Sequence, residues 1–188
     1  MKPIHLVLAL VLSTSACSYQ VHTDVSASSF SGTVNSVSQV VVLPKSTPIR
    51  IRIPSISLDS KLMKLGLEAD GSLQVPPKAF PAGWYIGSPT PGQVGPSIIA
   101  GHIDWNGPGV FYSLNRVRLG DQIIISRIDG TIVTFKVTRI AAFLKSAFPT
   151  NDVYGNLSYP GIRLITCGDY NFKLHNYVRD LVVFGAMI

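Results

Sequence analysis

Residues 164–168 read Leu164-Ile165-Thr166-Cys167-Gly168, an apolar, strand-like run that ends on a cysteine and turns at a glycine. The only other cysteine is Cys17, inside a leader-like segment, so no disulfide framework organises the fold. Cys167 is therefore either a small core residue or a nucleophile. Its run belongs to a pattern that recurs through the chain. From Pro48 onward come short runs rich in Val, Ile and Phe, punctuated by glycine and proline turns, the texture of a mainly β, largely antiparallel domain. This predicts strands over 50–53, 97–102, 122–127, 131–143, 162–167 and 181–186. Asp70-Gly71 and Asp129-Gly130 each lie between extended segments and tolerate the positive φ of tight hairpins. Residues 110–114 and 152–157 could each form a helical turn or two, and prolines break up the rest.

At 188 residues the chain has room for one domain with a proper core, plus a leader and a tether. The net charge is +6, but apart from Lys2 the basic residues are spread from Lys45 to Arg179 and never run three together. That is a solvated cationic surface attracted to anionic envelope polymers or lipid head groups, and it excludes a nucleic-acid groove.

Residues 1–17, MKPIHLVLALVLSTSAC, carry Lys2, an apolar run over 4–12 interrupted by His5, and a small-residue stretch ending at Ala16. This is the layout of a secretory signal, and the run is shorter than the ~20 residues needed to span a bilayer. Ser15-Ala16-Cys17 partly resembles a lipoprotein processing signal in which Cys17 is lipidated, although Thr14 stands where such signals carry Leu. Ordinary cleavage and a short uncleaved anchor are the alternatives. All three place the domain outside the cytoplasm, held at the membrane by its N-terminus, or secreted if the leader is cleaved without lipidation. Residues 18–44 form a tether, with nine Ser or Thr and a single charge, Asp24, between positions 18 and 39. Residues 45–188 are the domain.

Of the histidines, His5 and His22 precede the domain and His175 lies in a loop, whereas His102 ends the apolar run "SIIAGH". Strand alternation puts Asp104 on the same side as His102, able to orient the imidazole, while "DWNGPG" reads equally as a turn and more strongly so. A thiol at one strand end and an imidazole at another meet if both lie at one rim of a sheet. The thiol, with an ordinary pKa of about 8.5, needs a cation nearby to become a useful thiolate. His102 would share its proton, and Arg179, at the entrance to "LVVFGAMI", would return beside the cysteine strand and donate to an oxyanion. The plain alternatives are an inert buried cysteine, a structural histidine and a solvated edge arginine.

The ordered motifs around these residues resemble the sortases, and are most similar to the class F sortases of Gram-positive actinobacteria. They are "RIRIPSISLDSKL", "GLEADGSLQVP", "AGWYIGSPTPGQVGPSIIAGHID", "GPGVFYSLNRVRLGDQI", "FPTNDVYG" and "IRLITCG". The resemblance runs from Pro48 to the C-terminus and implies an eight-stranded closed β barrel with short connecting helices. It gives His102 the role of catalytic histidine, Cys167 that of nucleophile, Arg179 that of substrate-stabilising arginine, and Thr166 that of support for substrate or oxyanion. It implies transpeptidation of secreted proteins that bear a Leu-Pro-x-Thr-Gly sorting signal onto an amine of a cell-wall precursor, with no metal and no organic cofactor. Leu181 departs from the Asn expected in relatives, and the leader is shorter than the usual anchor. A cysteine hydrolase of envelope peptides and a non-catalytic envelope-binding lipoprotein domain are the rival readings. The segment 168–178, which joins the cysteine to the arginine, is expected to line one wall of the groove.

Overall fold

The computed structural model describes residues 41–188, so the leader and all but the last residues of the tether lie outside the described residues. The strands are β1 (Pro48–Ile53), β2 (Leu58–Leu65), β3 (Ala82–Tyr85), β4 (Gly95–Ala100), β5 (Gln122–Arg127), β6 (Ile132–Leu144), β7 (Pro160–Asn171) and β8 (Asn176–Met187). They close into a barrel in the order β1-β2-β3-β4-β7-β8-β6-β5, the eight-stranded closed barrel with short helices that the family resemblance implies. The β2–β3 and β4–β7 pairs are parallel and the others antiparallel. Among the described residues the one α-helix is the short α1 (Thr150–Tyr154), and 3-10 turns occupy Pro54–Ile56, Leu114–Arg116 and Lys145–Ala147.

Alternation writes this barrel. In β1, Ile51 and Ile53 are fully buried while Arg50 and Arg52 face solvent, and Arg50 pairs with Asp59 of β2 at 2.6 Å. Ile99, Phe111, Leu114, Ile123, Ile125, Phe135, Ile162 and Leu164 fill the same interior. A smaller cluster lies outside the barrel, where Val153 of α1 packs on Val182 and Phe184 of β8. β8 is thus apolar on both faces, and β4 is buried along its whole length, which is why both read as unbroken apolar runs. The Asp129-Gly130 hairpin joins β5 to β6: Gly130 has φ +82° and the Asp129 carboxylate accepts from Thr131 N–H at 3.0 Å. Arg127, 1% exposed, clamps the N-terminal segment by donating to Pro44 O at 2.5 Å, to Pro91 O at 3.2 Å and to Asp129 at 2.9 Å.

Several boundaries differ from the expectation. β2 carries Asp59, Lys61 and Lys64 on its outer face, and β3 is four residues long between proline-rich loops, so neither shows an apolar run. Cys167 does not end its strand, since β7 continues to Asn171 and pairs with β8 to Asn176. Arg179 lies inside β8 and not at its entrance. The two helical turns fall at Leu114–Arg116 and Thr150–Tyr154, displaced from 110–114 and 152–157. Among the described residues no helix is long and apolar enough to cross a membrane.

Leu164 is fully buried at the centre of this core. Leu164→Ala is expected to lower unfolding free energy by about 2–5 kcal/mol in a urea titration. Leu119→Ala, at a position 68% exposed, should change it by no more than about 0.5 kcal/mol.

Candidate active site

The site forms where β4 stops and β7 does not. The two strands run parallel in register from Gly95↔Pro160 to Ala100↔Ile165, and Gly101 N–H adds one more bond to Ile165 O at 3.1 Å. Beyond that point β7 keeps only β8 as a neighbour, so Cys167 stands at the lip of the barrel. His102 stands at the same lip, just past the end of β4. Gly101 is required for close packing: a Cβ there would meet Val110 Cγ1 at 2.5 Å and Phe111 Cδ2 at 2.9 Å. The following loop folds back on the histidine, with His102 O accepting from Phe111 N–H at 2.8 Å.

Cys167, His102 and Thr166 all line one cavity of about 1000 Å³, a size that accepts an extended peptide segment. Its walls come from the β2–β3 connection (Leu73, Val75 and Pro76), from Val94, Pro96 and Ile98 around β4, and from Phe148 and Tyr154 near α1. The Asp70-Gly71 turn shapes the first wall, with Gly71 at φ +84° and Ser72 N–H bonded to the Asp70 carboxylate at 2.9 Å. His102 Nε2 donates to Pro76 O at 2.6 Å; a carbonyl only accepts, so that nitrogen carries a proton. The imidazole packs against Trp105 at 4.8 Å between ring centroids.

Asp104 does not orient the imidazole. Its backbone bridges to Pro108, as a turn residue does, and its carboxylate accepts from the Tyr177 hydroxyl at 2.5 Å. Burial and that carboxylate push the Tyr177 phenol up to about 12.

The cation beside the thiol is Lys145, just past the end of β6. Its Nζ lies 3.6 Å from Cys167 Sγ and 3.7 Å from Asp180 Oδ1. Arg179 is elsewhere. Register pairs Cys167 with Asp180 and Gly168 with Arg179, so Arg179 leaves β8 on the face opposite the thiol. Its Nε lies 3.4 Å from the Asp169 carboxylate, and it is not among the residues that line the cavity. None of residues 168–178 lines it either, since Gly168–Asn171 and the start of β8 form a paired hairpin that projects beyond the barrel.

Burial dominates the thiol's titration and pushes Cys167 above the ordinary cysteine value; Lys145 pulls it down, while Asp180 and Asp104 push it up. Burial likewise raises Asp180, opposed by Lys145. Thr166 is 2% exposed, and its hydroxyl has no partner among the described residues. Leu181, the departure noted in the sequence, stands directly opposite it in the β7–β8 register and offers none. No group of three or more metal-ligating side chains occurs among the described residues.

Residues 51–188 match the family model described as "Sortase domain". Among solved structures the fold is similar to a lid mutant of sortase A from Corynebacterium diphtheriae, at 22% identity and a TM-score of 0.61, covering 78% of this chain and 72% of that one. It is similar to sortase C1 from Streptococcus agalactiae, at 21% identity and 0.60, covering 74% of this chain and 66% of that one. It is also similar to sortase C-1 from Actinomyces oris, at 22% identity and 0.58, covering 74% and 71%. Identities this low establish the common fold, and the likeness to the streptococcal protein spans about two thirds of its length. No curated protein matches the chain.

The charge balance fixes how the thiol responds to pH. The midpoint of the iodoacetamide rate profile of Cys167 is expected above that of a free cysteine. Lys145→Met removes a stabilising cation and should move the midpoint higher, whereas Asp180→Asn removes a repelling anion and should move it lower. Each unit of displacement changes the reactive fraction at neutral pH about tenfold. Arg179→Met should leave the profile in place; a shift as large as that of Lys145→Met would contradict the register.

Proposed function

The chain belongs to the sortase family, and from that membership we propose that it is an extracytoplasmic cysteine transpeptidase of the class F kind, tethered to the membrane by its N-terminal leader. It would cleave a Leu-Pro-x-Thr-Gly-type sorting signal between Thr and Gly and pass the acyl chain to an amine of a cell-wall precursor. The observation that carries this reading is the convergence of Cys167 and His102 on one largely apolar cavity at the end of the β4–β7 pair. Its walls of Leu73, Val75, Pro76, Val94, Ile98 and Ile165 suit the Leu-Pro half of such a signal.

In the first half-reaction the Cys167 thiol gives its proton to His102 as the sulfur adds to the Thr carbonyl carbon. The tetrahedral oxyanion collapses, the C–N bond breaks, and the glycine amine leaves with a proton from His102. In the second, an acceptor amine attacks the thioester carbonyl and gives a proton to His102, the C–S bond breaks, and the released sulfur takes that proton to restore the thiol. Lys145 favours the thiolate and is placed to offset charge near it. The resemblance assigns Arg179 to the oxyanion, which requires it to leave Asp169 and to reach the thiol's face of the β7–β8 pair when substrate enters. Thr166 would supply the remaining donor to substrate or oxyanion.

The test is incubation of the protein with a quenched Leu-Pro-x-Thr-Gly peptide, with and without a glycine-based amine, followed by fluorescence and intact mass. A thioacyl adduct absent in Cys167→Ala, with ligated product only when amine is present, is the expected result. His102→Ala should lower the rate by about 10²–10⁴-fold. Cleavage indifferent to amine would make the protein a hydrolase, and no adduct across a panel of sorting signals would make the domain a binding module. Comparing Lys145→Met with Arg179→Met under saturating peptide decides which cation serves the acyl transfer.

A further inference from the structure

A second cavity, of about 510 Å³, opens on the outer face of the barrel beneath α1. It lies on the same side of β7 as Cys167, because residues 163, 165 and 167 alternate with the inward-facing Ile162, Leu164 and Thr166. Arg163 lines it. This arginine is only 4% exposed, its Nη1 donates to Ile162 O at 3.0 Å, and its Nε–H has no partner among the described residues. A second guanidinium, Arg139, shares the cavity, and both lie over the Phe184 ring, at 3.6 Å for Arg139 and 4.5 Å for Arg163.

The charges facing Arg163 do not cancel. Asp152 is the carboxylate in the cavity wall, and it is bound to Arg139 at 2.7 Å. Tyr159 adds a phenol that favours the charged Arg163 as a hydrogen-bonding neighbour but carries no fixed charge. One positive charge at a buried position is therefore left without a counter-ion of its own, and burial pushes the Arg163 guanidinium down from its ordinary range. A buried polar group with an open donor is costly unless something accepts from it.

We propose that this cavity is an oxyanion-binding site in which Arg163 receives a carboxylate or phosphate group through its free Nε–H and its terminal N–H donors. A planar guanidinium fork matches the paired oxygens of these groups, which distinguishes them from halide. Asn156 supplies a polar wall and Phe184 holds the guanidinium plane in place. Asn156 and Leu157 line this cavity and the Cys167 cavity alike, so the two cavities adjoin at these residues.

The site is tested by binding alone, independently of any transpeptidase activity. Backbone amide shifts of the full chain are followed by NMR while inorganic phosphate, and separately acetate, is added at constant pH and ionic strength. Saturable shifts confined to Gly155, Asn156, Arg163 and Phe184 are expected with at least one of the two ions, and the one that binds identifies the phosphate or carboxylate class. Arg163→Gln should weaken that binding by about tenfold or more, and Arg163→Lys, which keeps the charge but loses the fork, should weaken it less. Arg50→Gln, on the opposite side of the fold order, should leave it unchanged. Absence of saturable shifts at these amides in the unsubstituted protein overturns the proposal, as does equal binding by a folded Arg163→Gln protein.

Discussion

The parallel pairing of β4 with β7 is the constraint on which the rest of the site depends. Ile99 pairs with Leu164 and both are fully buried, so a slip of one residue would move these side chains to the outer face and carry neighbours such as Arg163 into the core. Because Ile162 and Leu164 must face inward, Ile165 and Cys167 must face outward, where the walls of the cavity stand. The thiol's orientation is thus set by apolar burial several residues away. The same pairing sets the height of the site, since β4 ends at Ala100 and leaves the next turn of β7 uncovered. Gly101 then lets Val110 and Phe111 press close enough to hold the His102 loop against the barrel.

At that lip the electrostatics are balanced on one lysine. Lys145 lies between Cys167 and Asp180, so it is shared by a group that becomes negative during chemistry and one that is negative already. Burial raises both acids, and for the thiol this favours the neutral form before substrate arrives. A thiol kept protonated in the free protein is a weaker target for adventitious oxidation and alkylation than a standing thiolate. The proton on His102 Nε2, held by Pro76 O, is part of the same economy: the imidazole is anchored to a cavity wall that an incoming peptide would touch.

Much of this was legible in the chain, and what was not has a common cause. Alternation and Asp-Gly turns disclose β1, β5, β6 and the Asp129-Gly130 hairpin because those signals are local. The lip position of Cys167 is also visible, but for a reason the run itself conceals: the strand that ends is β4, while β7 continues. Lys145 has no local signature at all. It is 22 residues from Cys167 and reaches it only through two successive registers, β6 with β8 and β8 with β7. Arg179 shows the converse. Its spacing correctly brings it back beside the cysteine strand, yet spacing cannot give the face, which follows from Cys167 pairing with Asp180 and not with Arg179.

Register also explains what Leu181 does. It faces Thr166 across the β7–β8 pair and packs against the main core, where an amide in its place would instead present polar groups to the Thr166 hydroxyl. Exchanging one for the other gains apolar burial and leaves a buried hydroxyl unpaired, a loss of about 1–3 kcal/mol that the packing of a leucine roughly offsets. The outcome is neutral for stability but not for chemistry. Thr166 is adjacent to the thiol, and a hydroxyl satisfied by an asparagine would have to break that bond before it served a reacting carbonyl. Left unpaired, it loses nothing by donating to whatever acceptor enters, so in the transpeptidase reading the departure at Leu181 makes Thr166 a more available donor and not a weaker one.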